Sequence, residues 1–134
     1  MTDQTDSELK GKVAIITGAG RMRGIGRGTA VALAQMGANI VVTGTGRDRA
    51  SFPQDEKDAG WRDIESTAEQ VESFGVKALP LVSNIADQSD VQRMVDAAVA
   101  EFGRLDIIVN NAAAPKGTDR VSVLDLEADV FRTV

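Results

Sequence analysis

Apolar residues recur along the chain with two different periods, which predict four strands with three helices between them. The strands are short and nearly continuous apolar runs, which read KVAIITG, NIVVTGT, KALPLVSNI and LDIIVNNA in chain order. Each intervening stretch repeats its apolar residues at the spacing of a helix. Because the strands are not alternately polar, we predict a parallel sheet that is covered by helices on both faces.

Helical periodicity also predicts which side chains face the sheet, and it places the second helix from about Trp61 to Phe74. The inward residues are predicted to be Ile25, Ala32, Leu33 and Met36 in the first helix, Ile64, Ala68 and Val71 in the second, and Val91, Met94, Val95, Ala98 and Phe102 in the third. Right-handed crossovers then give a doubly wound α/β fold with the strand order 3-2-1-4.

The last segment predicts only the beginning of a further helix. Asp125 or Ser122 would cap this helix, and the residues spaced for burial are Leu126, Val130, Phe131 and Val134. Four strands and part of a helix leave the fourth strand at an edge and expose apolar area. We therefore predict that residues 12–134 form an incomplete domain, truncated after four strands. The polar residues 1–11 before it are predicted to be a flexible start.

Composition narrows the chemistry that the chain can carry. Its formal net charge is -5, and the absence of cysteine and histidine excludes disulfides, thiolate zinc sites and Ser-His or Cys-His catalysis. A cluster of Arg21, Arg23 and Arg27 suits a small anion better than a nucleic acid. The polar start lacks a secretory signal and no apolar run is long enough to span a bilayer, so we expect a cytoplasmic protein without a membrane partner.

A glycine-rich stretch, TGAGRMRGIGRG at residues 17–28, follows the first strand and opens the first helix. Its glycines let the backbone approach a ligand closely, and the free N–H groups of a helix start favour a diphosphate. A strand before the loop and a helix after it are the context that a dinucleotide site requires. We therefore predict that residues 12–134 bind a dinucleotide, with Arg21 or Arg23 either on a phosphate or in solvent.

The end of the second strand bears on which dinucleotide is bound. An NAD site usually has an acidic residue there for the ribose hydroxyls, whereas an NADP site has small residues and an arginine for the 2′-phosphate. VVTGTGRD offers small residues followed by Arg47, so NADP(H) is preferred. Asp48 comes next, and a register shift of one residue would favour NAD(H). The long polar stretch at residues 47–59 is predicted to be a solvated insertion or a flap over the adenosine end of the cofactor.

The ends of the third and fourth strands supply the remaining candidates. Asn84, followed by Ile85, either contacts an adenine edge or serves as a turn residue before Asp87. Asn110 and Asn111 can tie neighbouring backbone segments together, and the three alanines after them leave room for a ribose or a nicotinamide.

Together these motifs resemble the short-chain dehydrogenase/reductase family, from about Lys10 to the last residue. TGAGRMRGIG is similar to the family's Thr-Gly-x-x-x-Gly-x-Gly loop, NNAA to its Asn-Asn-Ala-Gly motif, and SNIAD to its acidic-aliphatic adenine contact. The resemblance implies a Rossmann-like fold in which Asn110 stabilises the sheet. It also implies contacts with each part of the cofactor. The diphosphate would be contacted by Gly18, Arg21, Gly24, Ile25 and Gly26, with Gly20 as the alternative first glycine of the loop. Arg47 would contact the 2′-phosphate, Asn84 and Ile85 the adenine, and Asn110, Ala112 and Ala113 the ribose.

Three positions depart from the family pattern, and the family's chemistry is absent. The loop has two additional residues before Gly24, Asn84 replaces the usual Asp, and Ala113 replaces a glycine. The family uses a Tyr with a Lys, a Ser and an Asn to relay a proton, but this chain has no tyrosine. We therefore predict no catalytic residue and no activity for the chain alone. The resemblance implies a homo-oligomeric parent that transfers hydride between a nicotinamide and a small-molecule carbonyl or secondary alcohol.

Two other functions stay open at the level of the sequence. One is a non-catalytic dinucleotide-binding or protein-interaction module, whose fourth strand pairs with another chain. The other is a methyltransferase-like fold that uses S-adenosylmethionine. A methyltransferase-like site would have an acidic residue at the end of the second strand, where this chain has Gly44 to Gly46, and it does not explain the NNAA motif.

Overall fold

Four parallel strands form one sheet in the computed structural model of the protein, which describes residues 8–114 and 120–133. The strands are β1 (Val13–Ile16), β2 (Asn39–Gly44), β3 (Ala78–Val82) and β4 (Ile107–Val109). Their order is β3-β2-β1-β4, and Ile15 of β1 lies opposite both Val41 of β2 and Ile108 of β4. The predicted parallel sheet and its strand order are confirmed.

Helices cover both faces of this sheet. Within the described residues they are α1 (Ile25–Gln35), α2 (Gln54–Asp58), α3 (Ile64–Glu72), α4 (Gln88–Phe102) and α5 (Ala128–Thr133). On one face, Ala34 of α1 and Val71 of α3 belong to the same apolar cluster as Ile40 of β2. On the other face, Met94 and Ala98 of α4 pack with β1 and β2. The doubly wound α/β architecture that the sequence predicts is therefore present.

The inward face of α1 differs in part from the predicted one, although Leu33 packs against the apolar cluster and Met36 is half-buried as expected. Ile25 is 79% exposed and Ala32 is also exposed, although both are predicted to face the sheet. The buried residues are Gly26, Ala30 and Ala34, which recur every four positions. Their small side chains let the helix backbone lie close to the sheet. The pattern of large apolar residues could not show this face, because glycine and alanine contribute little to it.

The inward faces of α3 and α4 agree with the prediction. Ile64, Ala68 and Val71 are buried in α3, while Met94 and Ala98 are buried and Val91, Val95 and Phe102 are half-buried in α4. α3 begins at Ile64 and not at Trp61. The indole of Trp61 instead contacts the glycine-rich loop.

Residues 47–59 lie mostly exposed at the surface, as the prediction of a solvated insertion requires, but Phe52 and Glu56 are buried. A 3₁₀ turn at Arg49–Ser51 leads into α2. Phe52 is 6% exposed and Glu56 is 2% exposed. The Arg47 guanidinium lies 4.5 Å from the centroid of the Phe52 ring. Periodicity could not reveal this packing, because it depends on partners that are distant from α2 in the sequence.

The chain before β1 also contacts the core. Residues 8–11 form a turn in which the Leu9 N–H donates a hydrogen bond to the Met36 carbonyl at 2.9 Å. Residues 1–7 of the predicted flexible start lie outside the described residues. No helix in the described part of the chain is both long and apolar enough to cross a membrane.

The segment after β4 begins its helix later than predicted. α5 starts at Ala128, whereas the prediction capped the helix at Ser122 or Asp125. Of the residues predicted to be buried, Leu126 and Val130 are half-buried, Phe131 is 69% exposed, and Val134 lies outside the described residues.

Candidate functional site

A crevice runs along the carboxyl ends of the four strands. Its volume is about 600 Å³, which is within the range of small-molecule sites. The glycine-rich loop and the start of α1 line one side, and residues that follow β2, β3 and β4 complete the lining. Ligands of open parallel sheets bind at this edge.

Gly18 and Gly26 bring the glycine-rich loop into close contact with the residues after β4. Gly18 has a φ of +66°, and a Cβ there would lie 2.7 Å from the Ala112 Cα. A Cβ on Gly26 would lie 2.7 Å from both Asn111 Nδ2 and the Gly18 carbonyl oxygen. Both positions therefore require glycine. Gly26 is buried behind the loop and is not part of the crevice lining.

Side chains outside the crevice hold the lengthened part of the loop. Trp61 Nε1 donates a hydrogen bond to the Gly20 carbonyl at 2.6 Å, and the Met22 N–H donates to Glu56 Oε2 at 3.1 Å. Arg27 Nη1 donates to the Met22 carbonyl at 3.0 Å, and its guanidinium lies 5.3 Å from the centroid of the Trp61 ring. The two additional residues of the loop are thus part of an ordered, hydrogen-bonded arrangement.

Thr17 and Asn111 join the end of β1 to the end of β4. Thr17 Oγ1 accepts hydrogen bonds from the N–H groups of Asn111 at 3.0 Å and of Ala112 at 3.1 Å. Asn111 Nδ2 donates to the carbonyls of Thr17 and Gly18, both at 3.1 Å. The resemblance implied this structural role for Asn110, but Asn110 is exposed and lies outside the crevice lining. A tight turn, in which the Asn111 N–H bonds the Val109 carbonyl, carries Asn110 outward and leaves Asn111 against β1.

Thr17→Val is expected to lower the free energy of unfolding by about 2 kcal/mol. The substitution keeps the shape of the side chain, but it leaves the part-buried Ala112 N–H without its acceptor and the Asn111 N–H with the Val109 carbonyl alone. Urea denaturation measures the change, with Thr29→Val as the control, because the Thr29 hydroxyl bonds only a carbonyl of its own helix. Equal effects of the two substitutions would contradict the structural role of Thr17.

Arg47 lies at the crevice between two carboxylates. Its Nε and Nη2 donate to Asp63 Oδ1 at 2.9 and 2.7 Å, and Nη1 lies 2.9 Å from Glu56 Oε1. The side chains of Arg47, Glu56 and Asp63 are 16%, 3% and 10% exposed. Burial by itself would lower the pKa of the Arg47 guanidinium, but the bonds to Glu56 and Asp63 raise this pKa above its ordinary value. Arg47 is therefore charged and already engaged within the protein.

Arg21 differs from its neighbours because its charge is not engaged. Arg23 pairs with Asp55 at 2.7 Å, and Arg27 bonds Gln70 and the loop. In residues 8–114 and 120–133, the Arg21 guanidinium has no hydrogen bond or ion pair, and it lines the crevice. The sequence left Arg21 and Arg23 as alternatives for a phosphate, and the geometry favours Arg21.

Asn84 is a turn residue, as one of the two predictions for it has it, and it also lies in the crevice lining. Its Oδ1 accepts a hydrogen bond from the Ala86 N–H at 3.0 Å. Ile85 lies beside it and is 42% exposed. The Ser83 Oγ, at the same strand end, is buried and has no hydrogen-bond partner among the described residues. This end of the crevice therefore offers both an apolar surface and an unpaired hydroxyl.

The structure brings together all but two of the predicted site residues. Those in the crevice lining are Gly18, Gly20, Arg21, Gly24, Ile25, Arg47, Asn84, Ile85, Ala112 and Ala113. Asp63 could not be predicted as a site residue, because it precedes α3 and is not near a strand end in the sequence. Within the described residues, no group of three or more metal-ligating side chains is arranged to hold a metal ion.

The comparisons with known proteins identify the family of the chain. The family model for short chain dehydrogenases matches residues 12–134. A 12alpha-hydroxysteroid dehydrogenase from Clostridium sp. is 39% identical over an alignment of 108 residues, and the match covers 78% of this chain and 37% of that protein. The carveol dehydrogenase from Mycobacterium avium, solved in complex with NAD, superposes with a TM-score of 0.72 and 32% identity, covering 95% of this chain and 44% of that one.

A further NAD-bound neighbour, the short chain dehydrogenase from Mycobacterium paratuberculosis, has a TM-score of 0.69 and 34% identity, with 96% of this chain and 45% of that one covered. The protein belongs to the short-chain dehydrogenase family. The chain spans less than half the length of these relatives.

Proposed function

We propose that the protein is an oxidoreductase that transfers hydride between a nicotinamide dinucleotide and a carbonyl or secondary alcohol, and that this chain forms the cofactor-binding part. The observation that carries the proposal is the unpaired Arg21 guanidinium beside a glycine-rich loop, in a crevice at the carboxyl ends of parallel strands. Relatives of the chain are dehydrogenases, and two structural neighbours are bound to NAD.

The residues of the crevice fit a dinucleotide along its whole length. Gly18, Gly20 and Gly24 let a diphosphate reach the backbone, and no side chain caps the start of α1, so its first N–H groups are free to bind an anion. The adenine would lie against Asn84 and Ile85 at the end of β3. The ribose and nicotinamide would lie against Ala112 and Ala113, beside the exposed face of Ile25.

The bound nicotinamide would supply or accept the hydride, and this chain would orient it. The alanines after β4 leave space for the ring, while the bonds between Thr17 and Asn111 fix the backbone that borders this space. We assign no proton-transfer residue to the chain. The small-molecule substrate, the homo-oligomeric state and the cytoplasmic location remain predictions.

The finer prediction, a preference for NADP(H), rests on Arg47 as the ligand of a 2′-phosphate. The position of Arg47 in the crevice supports that assignment, but its bonds to Asp63 and Glu56 count against it. Arg47 would have to exchange two carboxylates for a phosphate that those same carboxylates repel. We therefore retain a nicotinamide dinucleotide as the proposed cofactor, and the NADP(H) preference remains the weaker alternative.

Arg21→Ala is expected to weaken the binding of both NADH and NADPH about tenfold in the full-length protein, because a charge-assisted bond to the shared diphosphate is lost. Cofactor fluorescence measures the two dissociation constants. Arg49→Ala is the matched control, since Arg49 is exposed, lies outside the crevice lining and carries the same charge. Absence of binding to the unmodified protein, or an equal loss in both variants, would contradict the proposed site.

A further inference from the structure

The carboxylate of Asp63 occupies the end of β2, although Asp63 belongs to the start of α3. It fills space that Gly20 leaves open, because a Cβ on Gly20 would collide with Asp63 Oδ1. A Cβ on Gly44, the last residue of β2, would collide instead with Ile64 Cγ2 at 2.8 Å and would lie in ordinary contact with Asp63 Oδ2 at 3.6 Å. The acidic group that the sequence of β2 lacks is thus supplied from another element.

The local backbone of Asp63 is unusual for a residue that precedes a helix. Its φ is +62°, a conformation that residues other than glycine rarely adopt. An Asp at this position normally caps the helix with its side chain, but the Asp63 carboxylate makes no such hydrogen bond. Its Oδ1 accepts from Arg47 instead, and in the described part of the chain its Oδ2 accepts no hydrogen bond. A free carboxylate oxygen therefore remains at the crevice.

The charges around this oxygen favour a neutral diol over a phosphate. Arg47 carries one positive charge and is bonded to two carboxylates, those of Glu56 and Asp63, so the three side chains together are negative by one charge. These three bonded side chains together would repel a dianionic 2′-phosphate, whereas a ribose hydroxyl can donate to Oδ2. The unpaired Ser83 Oγ, at the adjacent end of β3, is a second polar group without a partner in the same lining.

We propose that Asp63 accepts a hydrogen bond from the adenosine ribose hydroxyls of the cofactor, and that this contact selects NAD(H) against NADP(H). In this arrangement Arg47 is a positioning residue, which orients the Asp63 carboxylate together with Glu56 and does not bind a 2′-phosphate. The inference rests on the proposed function, because it assigns one end of the same dinucleotide site.

The test compares ADP-ribose with 2′-phospho-ADP-ribose by calorimetric titration of the full-length protein. These probes lack the nicotinamide and report on the adenosine end, whose proposed contacts all lie in this chain. We expect ADP-ribose to bind at least about tenfold more tightly, in keeping with a hydrogen bond to a charged group. Tighter binding of the 2′-phosphorylated probe would overturn the inference but not the proposed function. Binding of neither probe would overturn both.

Two variants identify the residue that is responsible. Asp63→Asn is expected to weaken the binding of ADP-ribose about tenfold. The variant should then no longer bind ADP-ribose more tightly than 2′-phospho-ADP-ribose. Asp58→Asn is the control, because Asp58 is exposed, lies in the same segment, and loses the same negative charge. We expect it to leave the affinities for both probes unchanged. An unchanged preference in the Asp63 variant would overturn the assignment of Asp63. Circular dichroism establishes that the variants are folded, and the comparison of probes on the unmodified protein does not depend on any variant.

Arg47→Gln separates the two roles of the arginine. If Arg47 positions Asp63, this variant binds ADP-ribose more weakly than the unmodified protein does, and its affinity for 2′-phospho-ADP-ribose is not reduced. A selective loss of 2′-phospho-ADP-ribose would instead return Arg47 to the 2′-phosphate and overturn the inference.

Discussion

Gly26→Ala is expected to lower the free energy of unfolding by about 3 kcal/mol and to reduce dinucleotide affinity. The added methyl group would lie 2.7 Å from Asn111 Nδ2 and from the Gly18 carbonyl oxygen, and 3.0 Å from the Ala19 Cα. Two of these three neighbours are backbone atoms of the glycine-rich loop, so relief of the collision must move the loop. Chemical denaturation measures the stability, and cofactor fluorescence on the full-length protein measures the affinity.

Gly28→Ala is the matched control, and its expected effect has the opposite sign. Gly28 lies two residues further along α1, and a Cβ there would meet nothing within 4 Å. Alanine in a helix interior is more stable than glycine by about 0.5–1 kcal/mol, so this variant should be more stable than the unmodified protein. Destabilisation by both substitutions to the same extent would contradict the close packing that we assign to Gly26.

Glu56→Ala is expected to lower the free energy of unfolding by about 3 kcal/mol, because it removes one partner of a nearly buried ion pair. Glu56 also accepts a hydrogen bond from the Met22 N–H, so its loss frees the lengthened part of the glycine-rich loop. Thermal or urea denaturation measures the stability.

Asp58→Ala is the control for this effect. Asp58 lies two residues later in the same helix, and its carboxylate bonds only the exposed side chain of Gln54. We expect its replacement to change the free energy of unfolding by less than about 0.5 kcal/mol. A Glu56 variant as stable as this control would contradict the stabilising contacts that we assign to Glu56 with Arg47 and the glycine-rich loop.

The fold could be predicted from the sequence because its strands are apolar on both faces. β1 and β2 read as continuous apolar runs and are buried between helices. The face of α1 could not be predicted in the same way, because Gly26, Ala30 and Ala34 are buried for their small size. Large apolar residues in a periodic pattern indicate a buried helix face. Glycine and alanine, which allow a helix to lie close to a sheet, contribute little to that pattern.

Most of the candidate site could also be predicted, since glycines and small residues at strand ends have a fixed place in a parallel sheet. The partners of Arg47 could not, because Glu56 and Asp63 come to it through the folding of residues 47–63. One tight turn after β4 decides whether Asn110 or Asn111 forms the hydrogen bonds to the end of β1. Sequence spacing places both asparagines at the strand end but does not decide which one faces β1.

A structure of the full-length protein crystallised with NADH tests the central claim most directly. We expect a dinucleotide along the crevice, with its diphosphate on the loop that contains Gly18 and Gly24, its adenine against Asn84 and Ile85, and its nicotinamide end beside Ala112. Crystals of the folded protein that hold no dinucleotide at millimolar NADH, or that hold it elsewhere on the surface, would contradict the account.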